Sequence, residues 1–546
     1  VSGRGTGVVV ATGRGTQIGV IARDVRQAAR VETPLQQRMR RFGLWITAAI
    51  VVSSLAAFGI GIAQGRDISE MFLVAVAVAV AAIPEGLPVV MTIALAVGVR
   101  RMARRNAIIR RLAAVETLGS CTVIMSDKTG TLTENRMTVQ SIYAGGTTYT
   151  ITGSGLSLIG AVTLNGSPVN VERDLPLLAV LQAGVLTNEA SVRPEDHTYT
   201  SVGDPTEVAL LVAAAKAGLS ATQIRSRMPE VGKVPFEPDL QFSATVQQDG
   251  DTLKVFLKGA PERVLRMCDS KLTADGPVPL DEARIRNIAH QMAGQGLRVL
   301  AMAVGEGKHR AEAVLKGIPQ GLTFVGLQGM MDPPRPEAVE AVRDARRAGI
   351  RVLMVTGDHP GTASAIARLI GIDDEDAQVY TGERLEKLSD NELAGILSRA
   401  SIYARISPSQ KLRIVNALRA QGHIVAVTGD GVNDAPALKS AHIGASMGLS
   451  GTEVAKEASD LVLVDDNFAS IHAAVEEGRT SFANIRNATF FLISSGVAVL
   501  VAIIVNMALR APLPFLPAQI LWLNLVTNGI QDVALAFEPG EKQQRT

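Results

Sequence analysis

Apolar positions fall along this chain in runs of two lengths, and the contrast divides it. Residues 44–63 are nearly all apolar and long enough to span a bilayer. A short polar link, Gln64 to Glu70, leads to a longer apolar run over 71–99. Two more runs, about 488–509 and 514–537, are joined by Arg510-Ala-Pro-Leu-Pro. This pattern predicts two transmembrane hairpins, four helices in all. Between them the apolar runs shorten to strand length and alternate with amphipathic helical stretches, as in a parallel sheet buried on both faces. Val123 to Asp127, Ile350 to Thr356 and His423 to Thr428 are such strands. Residues 244–247 and 253–257 bracket the turn Asp249-Gly-Asp251 and predict a β-hairpin. That hairpin belongs to a mixed α/β stretch, about 141–332, which reads as an insertion because the strand-helix alternation resumes beyond it. From Val1 to about Ala22, two Gly-Arg-Gly-Thr turns flank Val8-Val9-Val10. This predicts a hairpin or sheet edge rather than a nucleotide loop, since no Gly-x-Gly-x-x-Gly opens a helix there.

Charge orients the apolar runs. Arg38, Arg40 and Arg41 precede the first run, and Arg100, Arg101, Arg104, Arg105, Arg110 and Arg111 follow the second. The link between the two runs is nearly neutral, so both outer ends of the hairpin belong in the cytosol. A nucleic-acid role for these arginines fails because membrane segments adjoin them, and the net charge of +2 adds nothing in its favour. At 546 residues and 47% hydrophobic, the chain has room for about three or four domains and more apolar content than a soluble enzyme needs. Two cysteines, Cys121 and Cys268, are too few for a disulfide framework, which suits a reducing compartment.

The chemistry gathers at the ends of the short strands. Asp127 emerges from the carboxyl edge of an apolar strand, where ligands bind in open α/β sheets. Lys128, Thr129 and Thr131 surround it in sequence with a cation and hydroxyls, and Gly130 allows close backbone approach. Such a carboxylate can attack phosphorus and become an aspartyl phosphate. Two later strands each end in Thr-Gly-Asp, placing Asp358 and Asp430 on the same edge.

The stretch D-K-T-G-T-L-T resembles the phosphorylation motif of the P-type ATPases, a branch of the haloacid-dehalogenase superfamily. The order of the following motifs is similar too. By this resemblance Asp127 is the nucleophile, and Thr356-Gly357-Asp358 offers a hydroxyl and loop amides that bind the phosphoryl group. Lys411 supplies a steadying charge, and Asp430, Asn433 and Asp434 form the loop beside Mg²⁺. Asp127, Thr129 and Asp430 are the implied Mg²⁺ ligands, and ATP the implied nucleotide. Soluble phosphatases of the superfamily carry a second Asp where this chain has Thr129, and losing that proton carrier implies a longer-lived intermediate. The inserted region resembles the family's nucleotide-binding domain. Lys258-Gly259 matches its adenine-pocket motif, Phe236 its stacking aromatic, and Glu207 and Arg298 its other contacts. Arg405 matches a phosphate contact, and Asp332-Pro-Pro-Arg335 the interdomain hinge. Pro238 and Gln241 stand where relatives carry basic residues.

Ile83-Pro-Glu-Gly-Leu-Pro88 lies inside the second apolar run, where two prolines free backbone carbonyls and Glu85 carries a charge. It resembles the cation-site helix of calcium and sodium pumps and lacks the Cys-Pro of heavy-metal pumps. Asn524, Asn528 and Asp532 recur every four residues and share a helical face. With Glu85 they would make an oxygen-rich cage for a hard cation. Gly496 and Val499 replace acidic or amide residues of two-site pumps, which implies one site fewer. Asp532 either restores a carboxylate or lies at the cytosolic interface.

The expected architecture is α/β plus membrane helices: a haloacid-dehalogenase-like doubly wound phosphorylation domain (113–140 and 333–480) with an inserted α+β nucleotide-binding domain (141–332). Transmembrane hairpins occupy 31–112 and 481–546. Residues 1–30 match the tail of an actuator domain and its linker, which makes the chain read as lacking the rest of that segment and the first two membrane helices. The expected activity is ATP-driven cation transport through an aspartyl phosphate, in a multi-pass membrane protein with its catalytic domains in the cytosol. Ca²⁺ leads, with proton exchange as an option. The alternatives are Na⁺, K⁺, Mg²⁺ or H⁺ as cargo, or a nucleotide-binding pseudo-pump.

Overall fold

The strand Val123–Asp127 lies at the middle of an eight-stranded sheet. In a computed structural model of the chain, the described residues are 8–16, 19, 34–82, 86–153, 157, 160–195, 198–317, 319–372, 378–512 and 514–540. They fall into two compact units. One comprises Val1–Asp127, Pro336–Gly357 and Tyr380–Thr546, and the other Lys128–Arg335 and Asp358–Val379.

In the first unit, Arg351–Val355 pairs with one side of the central strand and Val425–Gly429 with the other, both parallel. The chain builds outward in opposite directions from Val123–Asp127, through Ile402–Ala404 on one side and Ile443–Met447 and Leu461–Leu463 on the other. Such a reversal opens a crevice at the carboxyl ends of the strands. Register sets Val355 beside Asp127 and Val427 beside Met125. Val123, Met125, Leu353, Val355, Val425 and Val427 are buried with Leu418 and Leu438 of flanking helices, which is why these strands read as unbroken apolar runs. The edge strand Ala107–Ile109 is antiparallel to Leu461–Leu463.

The membrane-type helices belong to the same unit. Met39–Ala63 and the 41-residue helix Phe468–Ala508 are the two that, among the described residues, are long and apolar enough to cross a bilayer unaided. The other two predicted spans are not single helices. The second run divides into Ile68–Ala82 and Leu87–Arg104, with Pro88 in the first turn of the latter, where a missing N–H costs nothing. The proposed break at Ile83, Pro84 and Glu85 lies outside the described residues. The last run divides into Pro517–Trp522, a wide turn Leu523–Asn528, and Gly529–Ala536. Met71, Val74 and Val78 pack with Ile503, Met507 and Ile520.

A close backbone contact ties the sheet to the long helix. Ala113–Gly119 runs just ahead of the central strand, and a Cβ on its Gly119 would fall 2.5 Å from the carbonyl carbon of Gly478. Gly478 in turn sits against the Val115 carbonyl. Two glycines thus bring the backbones together.

The second unit is built on an eleven-stranded, mainly antiparallel sheet between Thr138 and Met331. The predicted hairpin is present as Phe242–Asp249 paired with Thr252–Gly259, and Gly250 takes the left-handed backbone of its two-residue turn. Leu177, Leu181, Leu210 and Val325 lie in its core.

The predicted N-terminal hairpin is not formed among described residues 8–16. Gly13–Gly15 makes a single 3₁₀ turn and Val8, Val9 and Val10 are exposed. An apolar triplet with no sheet face to cover gains nothing by becoming a strand.

Candidate functional site

Asp127 ends its strand with a carboxylate held by Lys411, whose Nζ lies 3.1 Å from Asp127 Oδ2 and 2.8 Å from Asp434 Oδ1. Lys411 comes from the helix Pro408–Ala420, which starts with a capping box between Ser407 and Gln410, so its first turn is fixed. Its ammonium is buried. Burial alone would discharge it, but Asp127 and Asp434 outweigh that and hold its pKa above the ordinary lysine range. Asp434 is fixed in turn, since its Oδ2 accepts from the backbone N–H of Asp430 at 3.3 Å and of Gly431 at 3.2 Å. Gly429 is obligatory here, because a Cβ would fall 2.5 Å from that of Asp434.

The Asp127 backbone N–H donates to the hydroxyl of the buried Thr428 at 2.9 Å, a contact that sequence reasoning missed. The signal was available, as Thr428 begins the Thr-Gly-Asp ending of the neighbouring strand. Thr356 is buried just beyond Val355 and its N–H donates to the Tyr403 carbonyl at 2.9 Å. Gly357 follows with open space where a side chain would be. Asp430 has its carboxyl raised above the usual range by burial, then by Asp127 and Asp434. Asn433 is exposed on the short turn Val432–Asp434.

Lys128, next to Asp127 in sequence, pairs its Nζ with Asp358 Oδ2 at 2.5 Å. Among the described residues the cation paired with Asp127 is Lys411. In the same loop Thr129 keeps an extended backbone and Gly130 a left-handed one. Asp332 accepts from Thr133 Oγ1 and from the Arg136 N–H, while Arg335 donates to the Thr133 and Gly130 carbonyls. The Asp-Pro-Pro-Arg segment is therefore laced to the loop that precedes the strand Thr138–Ala144.

The second unit holds a cleft of about 820 Å³ lined by Glu207, Phe236, Lys258, Gly259 and Arg298 together. Phe236 is 59% exposed, so it is not core. Lys258 lies buried with its Nζ 2.6 Å from Glu207 Oε1, which pins the alkyl stem along the cleft wall. Burial lowers the Lys258 pKa, and Glu207 opposes the fall. Gly259 lets two chains meet, as a Cβ there would press on the Gln241 carbonyl at 2.6 Å. Pro238 and Gln241 also line the cleft. Arg405 belongs to the first unit, exposed on a left-handed turn after Ile402–Ala404.

In the membrane region, Asn524, Asn528 and Asp532 are all buried. Asn528 Nδ2 donates to Asn524 Oδ1 at 3.3 Å, and Asn524 Nδ2 to the Val80 carbonyl at 3.5 Å. Gly496 packs against the Ala81 carbonyl, 2.8 Å from where its Cβ would be. Glu85 lies outside the described residues. Among the described residues no three His, Cys, Asp or Glu side chains close on a common point.

An Asp at the switch point of a doubly wound sheet, with a lysine bridging it to a second carboxylate, is the arrangement of the haloacid-dehalogenase-like class. Sequence comparison carries the classification further. A family profile described as P-type ATPase, cytoplasmic domain N, matches residues 176–337, and one for the cation-transporting ATPase C-terminus matches 512–544. The cation-transporting ATPase pma1 of Synechocystis is 47% identical over 559 residues, 99% of this chain and 61% of the relative. A probable cation-transporting ATPase F of Mycobacterium tuberculosis is 46% identical over 547 residues, 99% of this chain and 60% of the relative. The calcium-transporting ATPase of Bacillus subtilis is 42% identical over 544 residues, 99% of this chain and 61% of the relative. The chain belongs to the P-type cation-transporting ATPase family, and it spans about 60% of the length of these curated relatives.

Proposed function

We propose that this chain carries the ATP-driven phosphorylation machinery and part of the ion path of a cation pump. The observation that carries the reading is the Asp127–Lys411–Asp434 bridge at the carboxyl edge of the parallel sheet. In the reaction an Asp127 oxygen attacks the γ-phosphorus of ATP. A phosphorus–oxygen bond forms on the carboxylate, the bond to the bridging oxygen breaks, and ADP leaves. Lys411 offsets the charge of Asp127 and Asp434 so that an anionic phosphoryl group can approach. Thr356, Gly357 and Asp358 are assigned to phosphoryl binding, and Asn433 to the loop that supports it. Water later cleaves the acyl phosphate, and Thr129 in place of an acid makes that step slow.

Asp127 and Asp430 fit Mg²⁺, because burial and the neighbouring Asp127 and Asp434 charges raise the Asp430 carboxyl and Lys411 offsets them only in part. The part of Thr129 in that site rests on the sequence. When bound, the metal would neutralise charge on the transferring phosphate. Glu207, Phe236, Lys258, Gly259 and Arg298 are assigned to the nucleotide base and its surroundings, and Arg405 to a phosphate. Asn524, Asn528 and Asp532, with Glu85 on sequence grounds, are assigned to the transported cation. Ca²⁺ is the first candidate, because relatives of 42% and 40% identity are named calcium-transporting ATPases.

The test is acid-stable, hydroxylamine-labile labelling from [γ-³²P]ATP. The wild-type chain should label and Asp127→Asn should not. A chain that binds ATP but never labels would be a pseudo-pump.

A further inference from the structure

Beside the Lys258–Glu207 pair, the cleft of the second unit holds another. Lys233, on the strand Glu230–Val234, places its Nζ 2.9 Å from Glu189 Oε1, and both residues line the cleft. Each side chain is at least half exposed, and an exposed pair of this kind adds little to stability. The backbone under Glu189 is nevertheless fixed. Its N–H donates to Glu207 Oε2 at 3.0 Å. Arg225 Nη2 donates to the carbonyls on either side, that of Asn188 at 2.8 Å and that of Ala190 at 3.3 Å. Asn188 Nδ2 adds a bond to the Glu207 carbonyl at 2.8 Å. A carboxylate mounted on so firmly held a turn is a preorganised acceptor.

Glu207, by contrast, has both oxygens occupied, Oε1 by Lys258 and Oε2 by the Glu189 N–H. Among the described residues Glu189 Oε2 has no donor, and Lys233 Nζ has Glu189 as its one acceptor. A carboxylate only accepts and an ammonium only donates. The pair therefore offers an acceptor and a donor a hydrogen-bond length apart. The hydrogen bond to Glu189 raises the Lys233 pKa, so the donor stays charged. Phe236 follows Lys233 by three residues, which span at most about 10 Å. A ring stacked on Phe236 has its edge within reach of the pair.

We propose that Glu189 and Lys233 read the edge of the nucleobase and select adenine, Glu189 accepting from the amino group and Lys233 donating to the ring nitrogen beside it. The inference rests on the nucleotide reading of the cleft and names the two groups that decide which nucleotide is taken. Adenine presents an amino donor next to a ring-nitrogen acceptor, whereas guanine and hypoxanthine carry a carbonyl oxygen in place of the amino group. That oxygen meets the Glu189 carboxylate acceptor against acceptor, and the clamped turn limits how far Glu189 can withdraw.

The test is isothermal titration of the purified chain in detergent with ATP and with ITP, in EDTA so that no phosphoryl transfer intervenes. Wild type should prefer ATP by roughly tenfold, as one well-placed pair of base contacts allows. Glu189→Gln, whose amide can donate to a carbonyl, should bring the ratio close to one, mainly by tightening ITP. Lys233→Met should weaken ATP binding severalfold. Both variants should melt with wild type, because the pair is exposed. A wild type without preference for ATP overturns the proposal, as does a wild-type ratio kept in Glu189→Gln or unaltered ATP affinity in Lys233→Met. A melting temperature that falls while the ratio holds would mark a structural pair and overturn it too. All of these results leave ATP in the cleft and remove only the role of the pair. Binding of neither nucleotide by wild type removes the nucleotide reading of the cleft and the pair together.

Discussion

Lys411 is where a single side chain decides the most. It bridges Asp127 and Asp434 while almost wholly buried, so its loss strands two carboxylates. Lys411→Met should lower the rate of phosphoenzyme formation by roughly 10²–10³, the usual cost of removing a positioned charge from such a site. Rapid-quench labelling measures it. Asp430 gives a pH prediction of definite sign. Its folded pKa lies above the unfolded value of 3.8, so the native state holds the proton more tightly than the unfolded chain. Ionising Asp430 therefore costs stability, with the cost absent below about pH 3.8 and fully present once pH exceeds the raised folded value. Asp430→Asn should raise the melting temperature at pH 7 and change it little below pH 4. An equal shift at both pH values would contradict the account. At this scale the sequence was a partial guide. Asp127 and Asp430 were legible because strand periodicity and the Thr-Gly-Asp endings put them on one edge, and Asp434 because the motif that follows Asp430 resembles the family's. The partner of Lys128 was not, because adjacency along the chain says little about which way a long side chain turns.

At the scale of elements, the cleft proposed for the nucleotide depends on one backbone crossing. Gly259 closes the strand Thr252–Gly259 directly against Gln241 and Phe242. Gly259→Val should push these chains apart and weaken ATP binding by about tenfold, the equivalent of about 1.4 kcal/mol. Isothermal titration would register it, and unchanged affinity would show that the crossing does not shape the cleft. The central parallel strands and the Phe242–Gly259 hairpin were readable in advance, since apolar runs and a Gly-Asp turn specify them locally. The last apolar run was not readable as three pieces. Its composition is that of one span, and only packing against Met71, Val74 and Ile503 reveals where the helix widens at Leu523–Asn528. Val8 to Val10 failed for the opposite reason, an apolar pattern with no face to bury.

At the scale of the molecule, the 41-residue helix Phe468–Ala508 joins the parallel sheet to the membrane-type segments. Asn484, partway along it, donates to the Ala536 and Glu538 carbonyls at 3.3 and 2.9 Å, and Arg101 donates to the Phe537 carbonyl at 2.9 Å. Three membrane helices are thus tied at one end. Near its start, Gly478 meets Gly119 just ahead of the strand that carries Asp127. Gly478→Val should wedge that contact open. The expected result is labelling from ATP that persists but loses most of its dependence on the transported ion. Labelling with wild-type ion dependence would remove the contact from the coupling route.

The glycine pair also has a mechanical meaning. From Gly478 to its far end a straight helix extends about 45 Å, so a pivot of about 5° at the glycine pair sweeps the opposite tip through about 4 Å. Bare backbone is well suited to a fulcrum, because no side chain jams it as the angle changes. A cysteine cross-link fastening the two segments there should freeze the lever in whichever stroke it was caught.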